Sequence, residues 1–169
     1  FNHGISRTSS SMNDIYIQNN NISNNRNSGF FANTAGRIFF SNNYFFNNSV
    51  SGIHMRSGWR YSTIENNIFN DSNTCFYMYD NGPRDNILRN NIFDNCGKGI
   101  WFERYARFNL IYDNIFINNV VDIYLHFGSG SGPHDNLIYN NTLNSSKVTG
   151  NSINLSFFNL STTGNIWLD

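Results

Sequence analysis

Apolar and polar positions along the chain fall into one recurring phrase: apolar, polar, Asn or Asp, Asn, any residue, apolar. It occurs as Ile17-Gln-Asn-Asn-Asn-Ile22, Phe40-Ser-Asn-Asn-Tyr-Phe45, Ile64-Glu-Asn-Asn-Ile-Phe69, Leu88-Arg-Asn-Asn-Ile-Phe93, Ile111-Tyr-Asp-Asn-Ile-Phe116 and Ile138-Tyr-Asn-Asn-Thr-Leu143. A degenerate last copy is Thr162-Thr-Gly-Asn-Ile-Trp167. The second Asn stands at 20, 43, 67, 91, 114, 141 and 165, giving steps of 23, 24, 24, 23, 27 and 24 residues. Between copies lies a second phrase, a small residue followed by alternating apolar positions, as in Gly52-Ile53-His54-Met55 and Gly99-Ile100-Trp101-Phe102. Alternation with period two marks strands with one buried face. Two or three such strands per 23 or 24 residues, turned at Asn, describe one coil of a parallel β-solenoid. Its apolar face is buried only when coils stack.

Stacking by register predicts the core. One column is Ile17, Phe40, Ile64, Leu88, Ile111 and Ile138, and its partner is Ile22, Phe45, Phe69, Phe93, Phe116, Leu143 and Trp167. The second phrase supplies Ile5, Phe30, Ile53, Phe76, Ile100, Ile123 and Ile153, and two residues on, Ala32, Met55, Met78, Phe102, Leu125 and Leu155. The 34 Asn in 169 residues then belong to the turns, where stacked amides satisfy one another and the buried backbone. An aromatic fraction of 17% is too much apolar surface to leave unburied, so the chain folds rather than staying disordered.

The Asn-Asn-x-Phe…Gly-Ile pattern resembles the right-handed parallel β-helix repeats of the pectate-lyase-like superfamily. It is similar to the Asn-rich repeats of carbohydrate-binding and sugar-hydrolysis domains and of NosD-like proteins. The resemblance implies an all-β, right-handed parallel β-helix of about seven coils, one domain over residues 1–169, as a segment of a longer chain. Open coils at both ends imply flanking domains or end-to-end self-association through residues such as Phe1 and Trp167. The repeat is shared by lyases, hydrolases, epimerases, adhesins and structural proteins, so function has to be sought in a face.

One outward face stands apart. The Gly-Ile strand presents Phe31, His54, Tyr77, Trp101, Tyr124 and Asn154, and beside them Asn33, Arg56, Tyr79, Glu103, His126 and Ser156. An aromatic column at the strand spacing of about 4.8 Å suits sugar rings, with polar tips for hydroxyls. His54, Arg56, Tyr77, Trp101, Tyr124 and Asp80 are the expected substrate contacts. Glu103 and His126, as cross-strand neighbours, form a candidate acid–base pair flanked by Tyr79, with Arg104 to neutralise a uronate carboxylate. The loops after this strand, 56–61, 80–85, 104–108 and 127–135, are the most variable in the coil, where a rigid scaffold usually carries its sites. The same aromatic and Glu–His pairs also stabilise a sheet without any ligand. Two functions therefore stay open: an extracellular or cell-surface (or periplasmic) module that binds, and cleaves or epimerises, a polysaccharide, or a structural solenoid of an adhesin, fibre or surface layer.

Other chemistry is disfavoured. Zero net charge lacks the basic footprint that nucleic acid needs, and no apolar run approaches a membrane span. Acids fall about one per coil, only Glu103 lies in the two columns, and the four His lack ligand spacing. Neither a carboxylate pair nor a metal or other cofactor is expected. The two Gly-Pro-x-Asp-Asn segments, at 82–86 and 132–136, read as turns into the next strand. Cys75 and Cys96, one coil apart and offset by three positions, are expected as free thiols with Cα atoms beyond the roughly 7 Å limit for a disulfide.

Overall fold

The computed structural model describes residues 2–8, 12–80, 83–126, 133–144, 148–150, 156–158 and 161–162. Three parallel sheets of seven strands run side by side along one axis. Sheet one contains Ile5–Arg7, Ser28–Ala32, Ser51–Met55, Thr74–Met78, Lys98–Glu103, Val121–His126 and Val148–Gly150. Sheet two starts with the longer strands Met12–Gln18 and Ala35–Ser41, and sheet three with Asn21–Ser23 and Tyr44–Phe46. Each coil visits all three sheets in turn, and every strand pairs with its equivalent one coil away. No helix among the described residues is long and apolar enough to cross a membrane.

The chain turns three corners per coil, and the same device operates at each. A residue in the left-handed region precedes an inward-pointing polar residue. At the sheet two to three corner the left-handed residues are Asn19, Asn42, Asn66, Asn90, Asp113 and Asn140. Asn and Asp tolerate this conformation better than other residues with a side chain. The residue that follows builds the expected ladder. Asn43, Asn67, Asn91 and Asn114 each donate Nδ2 to the Oδ1 of the next rung, at 2.9–3.1 Å. That same Oδ1 also accepts the backbone N–H of the rung below.

Two further ladders, not anticipated, line the other corners. Ser62, Asn86, Asn109 and Asn136 are linked at the entry to sheet two. Asn25, Asn48, Ser72, Cys96 and Asn119 occupy the entry to sheet one, with direct links except between Ser72 and Cys96. Buried Asn is thereby satisfied rung by rung, which removes the desolvation penalty of so many interior amides.

The apolar columns fill the space between the ladders. Phe45, Phe69, Phe93 and Phe116 are buried and stack at 4.9–5.0 Å. Trp59 is fully buried against Phe30 and Phe40, with Nε1 donating to the Ala32 carbonyl at 3.1 Å. The strands that extend the last coil pair Ile123 with Val148 and Leu143 with Thr162. That coil closes five residues earlier than the repeat spacing places it (148 against 153, 162 against 167). Thr149, not Asn154, therefore follows Tyr124, and Ser156 belongs to sheet two beside Leu137. Phe1, Ile153, Leu155 and Trp167 lie outside the described residues.

The cysteines correct the sequence expectation. Cys75 and Cys96 form a disulfide, with Cα atoms 5.9 Å apart, and no free cysteine remains. An offset of three positions measured along a straight strand overstates the distance, because the corner folds those residues back. Cys75 occupies the column of Gly29, Gly52 and Gly99, where a side chain points at the corner residue of the next coil. A Cβ on Gly29 would lie 3.0 Å from Asn48 Nδ2, and Cys96 is the corresponding residue above Cys75.

Candidate functional site

Period-two alternation turns Phe31, His54, Tyr77, Trp101 and Tyr124 outward on sheet one, and they are direct partners in register. With His3 they form a continuous column of rings. Centroids are 4.9 Å apart for His3–Phe31, 5.0 for Phe31–His54, 4.6 for His54–Tyr77, 4.3 for Tyr77–Trp101 and 5.7 for Trp101–Tyr124. Such spacing decides what the rings can do. The stacked Tyr77 and Trp101 cover each other's faces, so a ligand meets ring edges and polar tips rather than a flat platform.

The second outward column follows the expected register, with Glu103 opposite His126. Their side chains nevertheless face different partners. Tyr77 Oη donates to Glu103 Oε2 at 2.7 Å, while Tyr124 Oη and His126 Nδ1 are 3.1 Å apart. Among the described residues no ion pair joins Glu103 to His126. Burial, reinforced by the Glu103 carboxylate, raises the Tyr77 hydroxyl above its ordinary range and keeps it protonated. His54 is pushed down to about 4, mainly by burial and then by the Arg56 and His3 charges, so it is neutral at neutral pH.

Cations border the rings on both sides. Arg56 and Arg104 place Cζ 5.4 and 5.8 Å from the centroid of Tyr79, which lies between them. Asp80 accepts from Ser57 Oγ at 3.2 Å and stands 3.8 Å from Arg56 Nε. On the opposite edge Lys98 Nζ sits 4.3 Å over Trp101 and 5.4 Å over Tyr124, and desolvation lowers its affinity for a proton. Lys98 escaped the sequence reading because it precedes the Gly-Ile phrase that defined the strand. Arg104 and Tyr105 are both left-handed, with φ of 40° and 51°. Such strain, of order 1–3 kcal/mol per residue, persists only where the surroundings over-determine it.

One property sets this face apart from the rest of the molecule. Among the described residues four buried side-chain polar atoms lack a hydrogen-bond partner: Asn33 Oδ1, His54 Nε2, Trp101 Nε1 and Arg104 Nε. Asn33 adjoins Arg56 in the second column, and Arg104 follows Glu103, so all four border one surface. A buried polar group left unpaired costs about 1–3 kcal/mol, and the ladders leave no such group at the three corners. Asp85 and Asp135 serve the turn instead, as left-handed residues ahead of Asn86 and Asn136. No group of three His, Cys, Asp or Glu able to hold a metal ion occurs among the described residues. Residues 127–132 of the longest bordering loop lie outside the described residues.

No curated protein and no solved structure matches the chain. The family model described as "Right handed beta helix region" matches residues 3–165. With its three parallel sheets and stacked corners, the chain belongs to the right-handed β-helix family.

Proposed function

We propose that the chain is an extracellular glycan-binding β-helix module that takes up a polysaccharide across the outward face of sheet one. The continuous row of half-buried rings on that face, bordered by Arg56, Arg104 and Lys98, carries this reading. Arg56 and Lys98 supply N–H donors at the two edges of the row, and sugar hydroxyls accept from such groups. The half-buried rings of Tyr77, Trp101 and Tyr124 supply apolar contact between the polar points. A disulfide is characteristic of an oxidising compartment and supports an extracellular or periplasmic location.

Binding without turnover is the better supported form. Glu103 and His126 are each hydrogen-bonded to their own tyrosine. Acid–base chemistry by this pair, with Tyr79 and Arg104, would require substrate to displace Tyr77 or Tyr124. A scaffold role is the second reading, favoured by rings that already satisfy one another by stacking. Incubation with a panel of neutral and uronate polysaccharides, reading retention and product masses together, separates these cases. Retention without product supports the binding module, and shortened or unsaturated products make it an enzyme. Silence across the panel leaves the scaffold.

A further inference from the structure

Three rings of the sheet-one column are close enough to exchange electrons. Tyr77 and Trp101 stack with centroids 4.3 Å apart, and Trp101 and Tyr124 stand at 5.7 Å. Among aromatic side chains, indole and phenol lose an electron most readily, and a phenol does so near neutral pH when a base takes its proton. Each of these tyrosines has such a base at its hydroxyl. Tyr77 Oη donates to Glu103 Oε2 at 2.7 Å, and Tyr124 Oη lies 3.1 Å from His126 Nδ1. Trp101, between them, has no such outlet: its Nε1 is buried without an acceptor among the described residues. Lys98 Nζ, 4.3 Å from the Trp101 ring, also opposes a positive charge on the indole. The same Nζ lies 5.4 Å from Tyr124, but a phenol that has given up its proton becomes a neutral radical and escapes that repulsion. Tyr112 and Tyr139 on sheet two are the contrast. They stack at 4.9 Å, yet Tyr112 Oη accepts from Arg89 Nη1 at 3.2 Å and so faces a cation instead of a base.

We propose that Tyr77, Trp101 and Tyr124 form a one-electron relay that collects oxidising equivalents on the outward face of sheet one and holds them on the two tyrosines. A one-electron oxidant in solution, of the class of peroxide-derived radicals, takes an electron from the half-buried Trp101 indole and is itself reduced. Tyr77 returns an electron to the indole radical cation while its phenolic proton passes to Glu103 Oε2. The products are a neutral indole, a neutral tyrosyl radical and a protonated carboxyl. Tyr124 reacts in the same way with His126, in the tautomer whose Nδ1 accepts, and that ring becomes imidazolium. A small thiol or phenolic reductant then supplies one electron, and the proton returns to the phenol oxygen. No glycan takes part, so the relay stands or falls apart from the binding reading above.

The test is flash oxidation of the full chain by photogenerated tris(bipyridine)ruthenium(III), with persulfate as the sacrificial electron acceptor. Transient absorption follows the radicals, and electron paramagnetic resonance of frozen samples identifies them. The expected result is an indole radical whose decay matches the rise of a tyrosyl radical, with that rise slower in heavy water. Tyr77→Phe/Tyr124→Phe should lose most of the tyrosyl signal and leave a longer-lived indole radical. Glu103→Gln/His126→Gln keeps hydrogen-bonding side chains but removes both bases, and should slow the tyrosyl rise at least about tenfold. Tyr112→Phe/Tyr139→Phe should match the parent. Urea midpoints establish that each variant is folded, and the heavy-water comparison needs no variant at all. A tyrosyl signal that survives loss of Tyr77 and Tyr124, rises as fast without the two bases, or shows no solvent isotope effect overturns the relay. An indole precursor of full amplitude in Trp101→Phe also overturns it.

Discussion

Replacing Asn91 by Ala tests the ladder at its middle. Asn91 is fully buried, and its Oδ1 accepts the Asn67 backbone N–H at 3.0 Å and Asn67 Nδ2 at 3.1 Å. Its Nδ2 donates to the Ile64 carbonyl at 2.9 Å and to Asn114 Oδ1 at 3.0 Å. Asn114 Oδ1 keeps a donor after truncation, the Asn91 backbone N–H, and Asn67 Nδ2 keeps the Phe40 and Glu65 carbonyls. The Asn67 N–H loses its Asn91 partner in the interior, whereas the Ile64 C=O stays within the parallel ladder beside Leu88 and Arg89. At about 1–3 kcal/mol for the one stranded group, the loss is about 1–3 kcal/mol, a sizeable part of the stability of an ordinary domain. Asn20 is the control. It is exposed at the end of the same ladder, and its Nδ2 donates to Asn43 Oδ1 and to the exposed Gln18 carbonyl while its backbone N–H still reaches Asn43 Oδ1, so Asn20→Ala strands no buried group and should cost under about 1 kcal/mol. Urea midpoints at constant slope measure both. Equal losses at the two positions would refute the view that ladder amides serve to satisfy buried backbone.

Other perturbations follow from single residues. Tyr61 is 57% exposed yet left-handed, at φ 57°, where equivalent corners carry Asp85 and Asp135. Tyr61→Asn should stabilise the fold by about 1 kcal/mol in denaturant titration. His54, depressed to about 4 from 6.5, gives stability that is present above pH 6.5 and lost as pH falls through 4. About 2 kcal/mol should go between pH 7 and pH 5, and His54→Phe should flatten that part of the profile. Reduction of Cys75–Cys96, separated by 21 residues, should cost about 3 kcal/mol. Cys75→Gly/Cys96→Asn restores the residues found at Gly29 and Asn48, and should recover part of that loss under reducing conditions.

The coil period, the inward apolar columns and the first Asn ladder were legible because one amide recurs at nearly constant spacing, whereas the strands per coil stayed at two or three until the structure showed three sheets. The other two ladders were not, since Ser62, Ser72 and Cys96 stand where the pattern wants Asn, and a hydroxyl or backbone N–H carries the link instead. The outward columns followed from alternation up to Tyr124 and His126, then failed where the last coil closes early. The disulfide was missed because distance along the chain is not distance across a corner. Sequence placed the rings in one column but could not reveal that Tyr77 and Trp101 would cover each other's faces, nor that Tyr77 would claim Glu103. The partnerless atoms of Asn33, His54, Trp101 and Arg104 have no sequence signature at all, because each depends on what its neighbours fail to reach.

The binding face can be watched directly through its indole N–H groups. In the chain labelled with ¹⁵N-tryptophan, Trp59 Nε1 is bonded to the Ala32 carbonyl and serves as an internal reference, while Trp101 Nε1 has no partner. Assignment by Trp59→Phe and Trp101→Phe identifies each signal. Titration with the polysaccharide that the chain retains should move the Trp101 indole resonance to saturation and leave that of Trp59 in place. A Trp101 signal that stays still while the polymer binds would contradict a glycan site on sheet one.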